Sequence, residues 1–275
     1  MALSVNTNEA ALIALQNLNN TTTNLNDVQN IISTGLSINS AKDNAAVWAI
    51  AQGQRADIGS LSAVQSSLNR ATSIADVAQT AGETISDLLT QMKANVVAAM
   101  DPSIDTASRT AIDSAFKAQL RQITETISNA NFDGANMLDG SIPQIKFIAN
   151  DDATGFITLS SQNLSLGGGI ITVPSTASLT TVTLATAVLS ELNSSISGTN
   201  EALGNLGSQS KEISAHNTFV QQLSDQLTAG VGNLVDADLA KESAKLQALQ
   251  VQQQLGTQAL SIANQAPQII LSLFK

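Results

Sequence analysis

Apolar residues repeat at alternating steps of three and four along much of the chain. The clearest stretch covers residues 61–96, where small aliphatic side chains keep this spacing over about five heptads. Such a stripe indicates a helix that packs along another helix as a coiled coil. Asp101-Pro102 ends the pattern, because proline cannot continue a helix. The stripe consists of Leu61, Val64, Leu68, Ala71, Ala75, Ala78, Gly82, Ile85, Leu89, Met92 and Val96.

Two further stripes predict two more helices. One runs from Phe116 to Ala130 and stops at the turn signal Asn131-Phe132-Asp133-Gly134. The other runs over residues 189–227 and includes polar residues, which weaken a coiled coil but can fix its register. The first contains Phe116, Leu120, Ile123, Ile127 and Ala130, and the second contains Leu189, Leu192, Ile196, Thr199, Leu203, Leu206, Ser210, Ile213, Asn217, Val220, Ser224 and Leu227.

A different pattern occupies residues 142 to about 175. The β-prone runs 144–148 and 155–159 are separated by a polar stretch, and a third run, 170–173, follows three glycines at 167–169. These runs predict a small β-hairpin insert. No Lys-Ser/Thr and no helix follow the glycines, so they indicate a turn and not a phosphate loop.

Both chain ends are apolar and almost free of charge. Residues 1–41 carry only Glu9 and Asp27 as charges, and residues 246–275 carry only Lys275. Ala11, Leu18, Leu25 and Ile32 recur every seven residues, whereas Leu255, Ala259, Ile262, Ala266, Ile269 and Leu273 step by four and three. Each buried Leu or Ile contributes roughly 1.5–3 kcal/mol. We therefore expect the ends to pair with each other and with other copies, and to be largely unfolded in isolation.

The predicted fold is mainly α, with long antiparallel helices that form coiled coils from both chain ends and a small β-hairpin insert. Pro267 is expected to kink or stop the last helix. The positions predicted to be buried by coiled-coil pairing and polymerisation are Leu12, Leu15, Leu18, Leu25, Ile32, Leu246, Leu249, Leu255, Leu260, Ile262, Ile269 and Leu273.

Composition narrows the possible partners. The net charge of −10 and the pI near 4.4 argue against nucleic acid and against an anionic membrane surface. There is no cysteine and no run of 18 apolar residues, and the N-terminus lacks the basic and apolar regions of a signal peptide. With 3% aromatic residues, helix-on-helix packing is favoured over a thick core.

Catalytic and metal-binding patterns are missing from the sequence. His216 is the single histidine and is expected on a helix surface or in a coiled-coil contact, without a ligand set for zinc. We predict no catalytic residue, no cofactor and no metal. Asp236 and the pair Ser40 and Asp43 are instead interpreted as helix caps. Trp48 either anchors an interface or fills a helix contact.

Several motifs resemble those of bacterial flagellins. The run 33–46, Ser-Thr-Gly-Leu-Ser-Ile-Asn-Ser-Ala-Lys-Asp-Asn-Ala-Ala, is similar to the family's S-S-G-L-x-I-N-S-A-x-D-D-A-A. Residues 5–8 match its I-N-T-N, residues 131–134 its N-F-N-G, and residues 236–242 its D-A-D-x-A-x-E. The ending 263–273 is similar to A-N-Q-x-P-Q-x-x-L-S-L. The matches cover roughly residues 1–140 and 185–275.

The resemblance implies a secreted structural subunit that polymerises with other copies into the extracellular flagellar filament. It implies an inner coiled-coil domain of residues 1–45 and 235–275 and an outer helical domain of residues 46–234. It also implies export, unfolded, through the flagellar type III apparatus, with a chaperone, and contacts with hook-associated and cap proteins.

One departure from the family concerns its Q-R-x-x-E-L motif, which an animal Toll-like receptor reads and which also serves subunit contacts. Gln91, Ala94 and Asn95 stand where the family's Arg, Glu and Leu would be. Loss of a charged and an apolar anchor predicts poor receptor activation.

Two alternatives remain open at the level of sequence. A hook–filament junction protein shares the terminal helices but would form a short adaptor zone. An enzyme or binding module in the insert would need a catalytic constellation within about 40 residues, which the pattern there does not provide.

Overall fold

The computed structural model describes the backbone of residues 7–273 and the side chains of residues 7–265. Helices occupy most of this range, so the mainly α fold with a small β insert is confirmed. The elements are α1 Glu9–Thr34, α2 Ala45–Ala99, α3 Thr106–Asn129, β1 Asn131–Phe132, β2 Ala135–Asn136, β3 Gln144–Ile148, β4 Phe156–Ser160, α4 Val182–Val235 and α5 Leu239–Leu273.

The chain divides into two compact units. We call residues 1–56 with 226–275 the terminal unit and residues 57–225 the central unit. The division falls inside α2 and α4, deeper in the chain than the domain limits expected at residues 45 and 235. The assignment of these parts to inner and outer layers of a filament stays a prediction.

In the central unit, α2 and α4 lie side by side and antiparallel. Every residue of the stripe predicted over 61–96 is buried, which confirms that pattern. Polar pairs flank the apolar contact and share one register: Gln65 donates to Gln221 at 2.6 Å, and Asn217 donates to Asn69 at 2.8 Å. Gly82 permits a close approach, because a Cβ there would lie 2.7 Å from Leu203 Cδ2. Small and paired polar residues thus set the spacing and register of these helices.

The third helix of the central unit, α3, is fixed by two buried charged residues. The Arg109 guanidinium donates to the carbonyls of Ala99 and Asp101, and so caps the C-terminal end of α2. Asp113 accepts hydrogen bonds from the Leu179 amide at 2.6 Å and the Ser178 hydroxyl at 2.9 Å. The first contact ties α2 to α3, and the second ties α3 to the segment that leads into α4.

The predicted hairpin is present as an antiparallel pair in which Gln144 faces Ser160 and Ile148 faces Phe156. It is anchored at both ends, since the Ile148 amide donates to Ser67 on α2 and the Ser160 amide donates to Gln209 on α4. The run 170–173 is not a strand. Its Thr172 amide donates to the Ser195 hydroxyl on α4, so no ladder partner is needed there.

Two helix starts differ from the sequence interpretation. Asn44 caps α2 by accepting from the Val47 amide, whereas Ser40 and Asp43 form a turn before it. Asp238 caps α5 by accepting from the Ala240 and Lys241 amides, which makes Asp236 wrong as the cap. In both cases the N-cap is a polar residue that lies closer to the first helical turn than the one predicted. The helix α5 also continues past Pro267 without stopping.

Candidate functional site on the terminal helices

Polar and flexible residues define both ends of α1. The Asn8 side chain accepts from the Ala11 amide at 3.1 Å, as an N-cap does, and its amide group donates to the Ala263 carbonyl of α5 at 2.7 Å. Gly35 ends the helix with φ of +73°, a conformation that costs a non-glycine residue energy. Asn8 therefore both begins α1 and ties it to α5.

The helices α1 and α5 pack against each other in antiparallel orientation. The contact contains a small buried cluster of Leu25, Val28 and Leu249, against which Ile32 and Leu246 pack. Farther along, Leu18 lies against Gly256. We call this contact, together with Ala263 at its far end, the α1–α5 seam. Leu18, Leu25, Ile32, Leu246 and Leu249 thus lie in contacts within one chain.

A second apolar surface of the same helices faces outward. Leu12, Ile13 and Leu15 of α1 are 61%, 53% and 42% exposed, and Val251, Leu255 and Ile262 of α5 are 54%, 58% and 69% exposed. We call these six residues the outer apolar face. Monomeric proteins seldom expose large apolar areas, and such areas mark interaction sites.

A shallow groove beside the seam belongs to this surface. It has a volume of about 410 Å³ and lies between α1 and α5. Its wall includes Ile13 and Asn17 from α1 and Leu255 and Ala259 from α5. Because all its lining residues are uncharged, the groove suits an apolar side chain and not an ionic ligand.

Different faces of α5 have different neighbours within the chain. The seam with α1 contains Leu246, Leu249 and Gly256. Leu255 and Ile262 are largely exposed, and Leu255 lines the groove beside the seam. Leu260 is half-buried. Ile269 and Leu273 lie outside the residues with described side chains. Leu255 and Ile262 therefore remain largely uncovered within their own chain.

The two motif-rich loops of the terminal unit meet, which sequence reasoning missed. Ser37 donates to the Val235 carbonyl through its amide at 2.7 Å and its hydroxyl at 3.1 Å. The Ala237 amide donates to the Gly35 carbonyl at 2.9 Å. Hydrogen bonds from the amides of Ser40 and Asn39 lower the pKa of Asp43. Similarity of both loops to one family was the only sequence signal that linked them.

The three positions of the altered receptor motif lie on α2. Gln91 and Ala94 are exposed, and Asn95 is half-buried. The Asn95 amide donates to Gln119 of α3 at 2.8 Å. The residue in place of the family's leucine thus makes a contact within the subunit.

The single histidine of the chain makes a contact within the central unit. His216 donates from Nε2 to the Ala149 carbonyl at 2.6 Å and holds the hairpin loop. No group of three or more acidic, histidine or cysteine side chains within the described range could hold a metal ion. Over the same residues, no helix combines the length and apolarity needed to cross a bilayer.

These features define a class: a helical protein whose ends pair with each other and still present an apolar face to other molecules. Residues 5–142 match the bacterial flagellin N-terminal helical region, and residues 184–274 match the bacterial flagellin C-terminal helical region. The chain belongs to the flagellin family, the structural subunits of the bacterial flagellar filament.

Full-length relatives agree with this assignment. Flagellin FljJ of Caulobacter vibrioides is 52% identical over 100% of this chain and 99% of its own length. A flagellin of Brucella melitensis is 37% identical over 99% of both chains. The junction-protein alternative is not better supported by these relatives.

Solved structures share the fold. A putative flagellar hook-associated protein from Vibrio parahaemolyticus is similar with a TM-score of 0.55 and 12% identity, over 70% of this chain and 100% of that one. The flagellin of Bacillus cereus gives a TM-score of 0.50 at 20% identity, over 56% of this chain and 88% of that one.

Proposed function

We propose that the outer apolar face is the surface through which copies of this chain bury one another in the flagellar filament. The observation that carries the proposal is its exposure in the single chain, where Ile262 and Leu12 are more than half accessible although α1 and α5 are already paired. Pairing within one chain uses the seam and leaves this face for other copies.

Burial of the face gives assembly a driving force. The six side chains are 42–69% exposed, so their further burial contributes a part of the roughly 1.5–3 kcal/mol that full burial of each would give. Folding of the ends is thereby coupled to polymerisation, since the entropy of ordering α1 and α5 is offset fully only when neighbours cover them. The account applies to Leu12, Leu15, Leu255 and Ile262.

The unfolded state of the ends before assembly also explains how the subunit leaves the cell. Ends that remain largely unfolded before assembly can pass through a narrow export channel, so we assign export to the flagellar type III apparatus with a chaperone that covers the ends. The subunit then functions outside the cell, in contact with hook-associated and cap proteins at the filament limits. The family resemblance supports these partners and this location.

Seeded elongation tests the proposal. The full chain added to short filament seeds should elongate into micrometre filaments visible by electron microscopy. Chains lacking residues 1–45 or 235–275 should remain helical by circular dichroism and should not elongate. Filaments formed by either truncated chain would overturn the proposal, and elongation that stops after a short zone would favour a junction protein.

A further inference from the structure

We propose that Asn8 and Pro267 form a latch that fixes the axial register of the α1–α5 seam. The proline leaves the Ala263 carbonyl of α5 without its helical donor, and the Asn8 side chain supplies the missing hydrogen bond from the other end of the chain. The latch lies within one chain, and its effect on elongation rests on the proposed function.

The Ala263 carbonyl lacks a helical donor because of the sequence of α5. In an α-helix each carbonyl accepts from the amide four residues later. Four residues after Ala263 stands Pro267, which has no amide hydrogen, although α5 continues to Leu273. A carbonyl left without a partner costs free energy unless a donor from outside the helix replaces the missing one.

Asn8 supplies that donor while it caps α1. Its Oδ1 accepts from the Ala11 amide at 3.1 Å, and its Nδ2 donates to the Ala263 carbonyl at 2.7 Å. Asparagine suits both tasks, because its side chain is short enough to cap a helix and carries a donor as well as an acceptor. Serine also caps helices well, but its shorter side chain has no amide group. Capping alone would therefore not require asparagine at position 8.

The latch is specific for one register, whereas the apolar seam is not. Apolar contacts such as that of Leu18 with Gly256 are non-directional, so a slip by one helical turn, about 5.4 Å, can replace them with similar contacts. The sequence of α5 contains one proline, so Ala263 is the only residue before its last turn whose carbonyl lacks an amide four residues later. A slipped helix would place Asn8 beside a carbonyl that already has its helical partner. Single polar residues set the register of coiled coils in the same way.

Register matters for assembly because both helices contribute to the outer apolar face. Leu12 belongs to α1, whereas Leu255 and Ile262 belong to α5. A slip of one turn would displace these side chains relative to one another, and a neighbouring copy that fits one arrangement would not fit the other. The latch thus links pairing within one chain to the surface that other copies meet.

A double-variant cycle on elongation tests the latch. Asn8→Ser keeps a capping side chain and removes the amide donor, so it should raise the critical concentration for elongation about three- to tenfold. In the Pro267→Ala background, residue 267 offers its own amide to the Ala263 carbonyl, so Asn8→Ser should change the critical concentration by less than about twofold. Asn44→Ser is the matched control, because Asn44 caps α2 by accepting from the Val47 amide, and it should also stay within about twofold.

Disulfide formation measures the register itself, because the chain has no native cysteine. A Cβ at residue 256 would lie 3.8 Å from the Cβ of Leu18, a separation typical of a disulfide. Filaments of the variant with Leu18→Cys and Gly256→Cys, assembled above its critical concentration, should therefore cross-link within each chain on mild oxidation. With Asn8→Ser added, the yield should fall at least about twofold, since a slip of one turn takes the two sulfur atoms out of reach.

Equal effects of Asn8→Ser in the two backgrounds, or an unchanged disulfide yield, would overturn the latch. Failure of the unmodified chain to elongate on seeds would instead contradict the proposed function, and the disulfide comparison would then test the latch in the soluble chain.

Discussion

Leu18 of α1 packs directly against Gly256 of α5. A Cβ added at Gly256 would lie 3.2 Å from Leu18 Cδ1 and 3.8 Å from Leu18 Cβ. The distance is shorter than ordinary contact, so the absence of a side chain at residue 256 sets how near the two terminal helices can lie.

Gly256→Val should weaken pairing of the terminal helices. The added methyl groups would overpack the seam, at a cost of about 1–3 kcal/mol, and the critical concentration for elongation should rise at least about fivefold. Gly204→Val is the matched control, because nothing lies within 4 Å of a Cβ at that helical position. Equal critical concentrations for the two variants, measured by sedimentation, would contradict the assigned seam.

Asp113→Asn should destabilise the central unit at neutral pH but not in acid. Desolvation by burial raises the pKa of Asp113, yet hydrogen bonds from Lys117, the Leu179 amide and Ser178 outweigh it, and the pKa is lowered from its ordinary 3.8. The folded state then binds fewer protons, so the stabilisation exists above about pH 3.8 and is lost as pH falls through the lowered pKa.

Urea unfolding followed by circular dichroism at pH 7, 5 and 3 measures this effect. Asp113→Asn should lower the free energy of unfolding by about 1–3 kcal/mol at pH 7 and 5, with the difference closing below pH 3.8. Asp87→Asn, at an exposed position on α2, is the control. A pH-independent difference would show that Asp113 acts through shape and not through its charge.

Arg109→Lys should loosen the turn between α2 and α3. A lysine keeps the charge but cannot reach two carbonyls with one planar group, so a cap bond at the end of α2 is lost. We expect a loss of about 1–3 kcal/mol in the free energy of unfolding. Arg55→Lys, at an exposed position, should change the free energy of unfolding by less than about 0.5 kcal/mol. Similar losses in both variants would contradict the role of Arg109 as the cap of α2.

Monomeric protein should activate the flagellin-sensing Toll-like receptor poorly in reporter cells, because the family's arginine, glutamate and leucine are absent from the α2 motif. The triple variant Gln91→Arg, Ala94→Glu and Asn95→Leu should raise activation at least about tenfold by restoring hot-spot residues. The single change Asn95→Leu also removes the hydrogen bond to Gln119. Its stability is therefore the control for loss of this bond in the triple variant. Full potency of the unmodified chain would contradict the prediction.

Periodicity predicted the buried face of α2, whereas for α5 it left open which molecule covers the apolar stripe. In α2 the most apolar stripe is the one buried within the chain, so Leu68 and Leu89 lie where the heptads placed them. In α5 the contact with α1 includes the small Gly256, whereas Leu255 and Ile262 face outward. Hydrophobic pattern reports how apolar a face is, and not which molecule covers it.

Two sets of hydrogen bonds could not be predicted from the sequence, because they join residues that only the fold brings together. The Arg109 cap requires the α2–α3 turn to bring residues 99 and 101 to α3, and the Ser37 bonds require two loops distant in sequence to meet. Thr172 lies in a β-prone run that predicted a strand. Its amide instead donates to the Ser195 hydroxyl and not to a neighbouring strand.

Single-cysteine labelling tests the central claim most directly, because the chain has no native cysteine. Leu12→Cys, Leu255→Cys and Ile262→Cys place thiols on the outer apolar face, and Asp151→Cys places a control thiol on the exposed hairpin loop. In filaments the first three should react with a water-soluble maleimide at least about tenfold more slowly than in monomers, while residue 151 should react at nearly the same rate. Equal reaction rates at residues 12, 255 and 262 in filaments and monomers would contradict burial of this face by neighbouring copies.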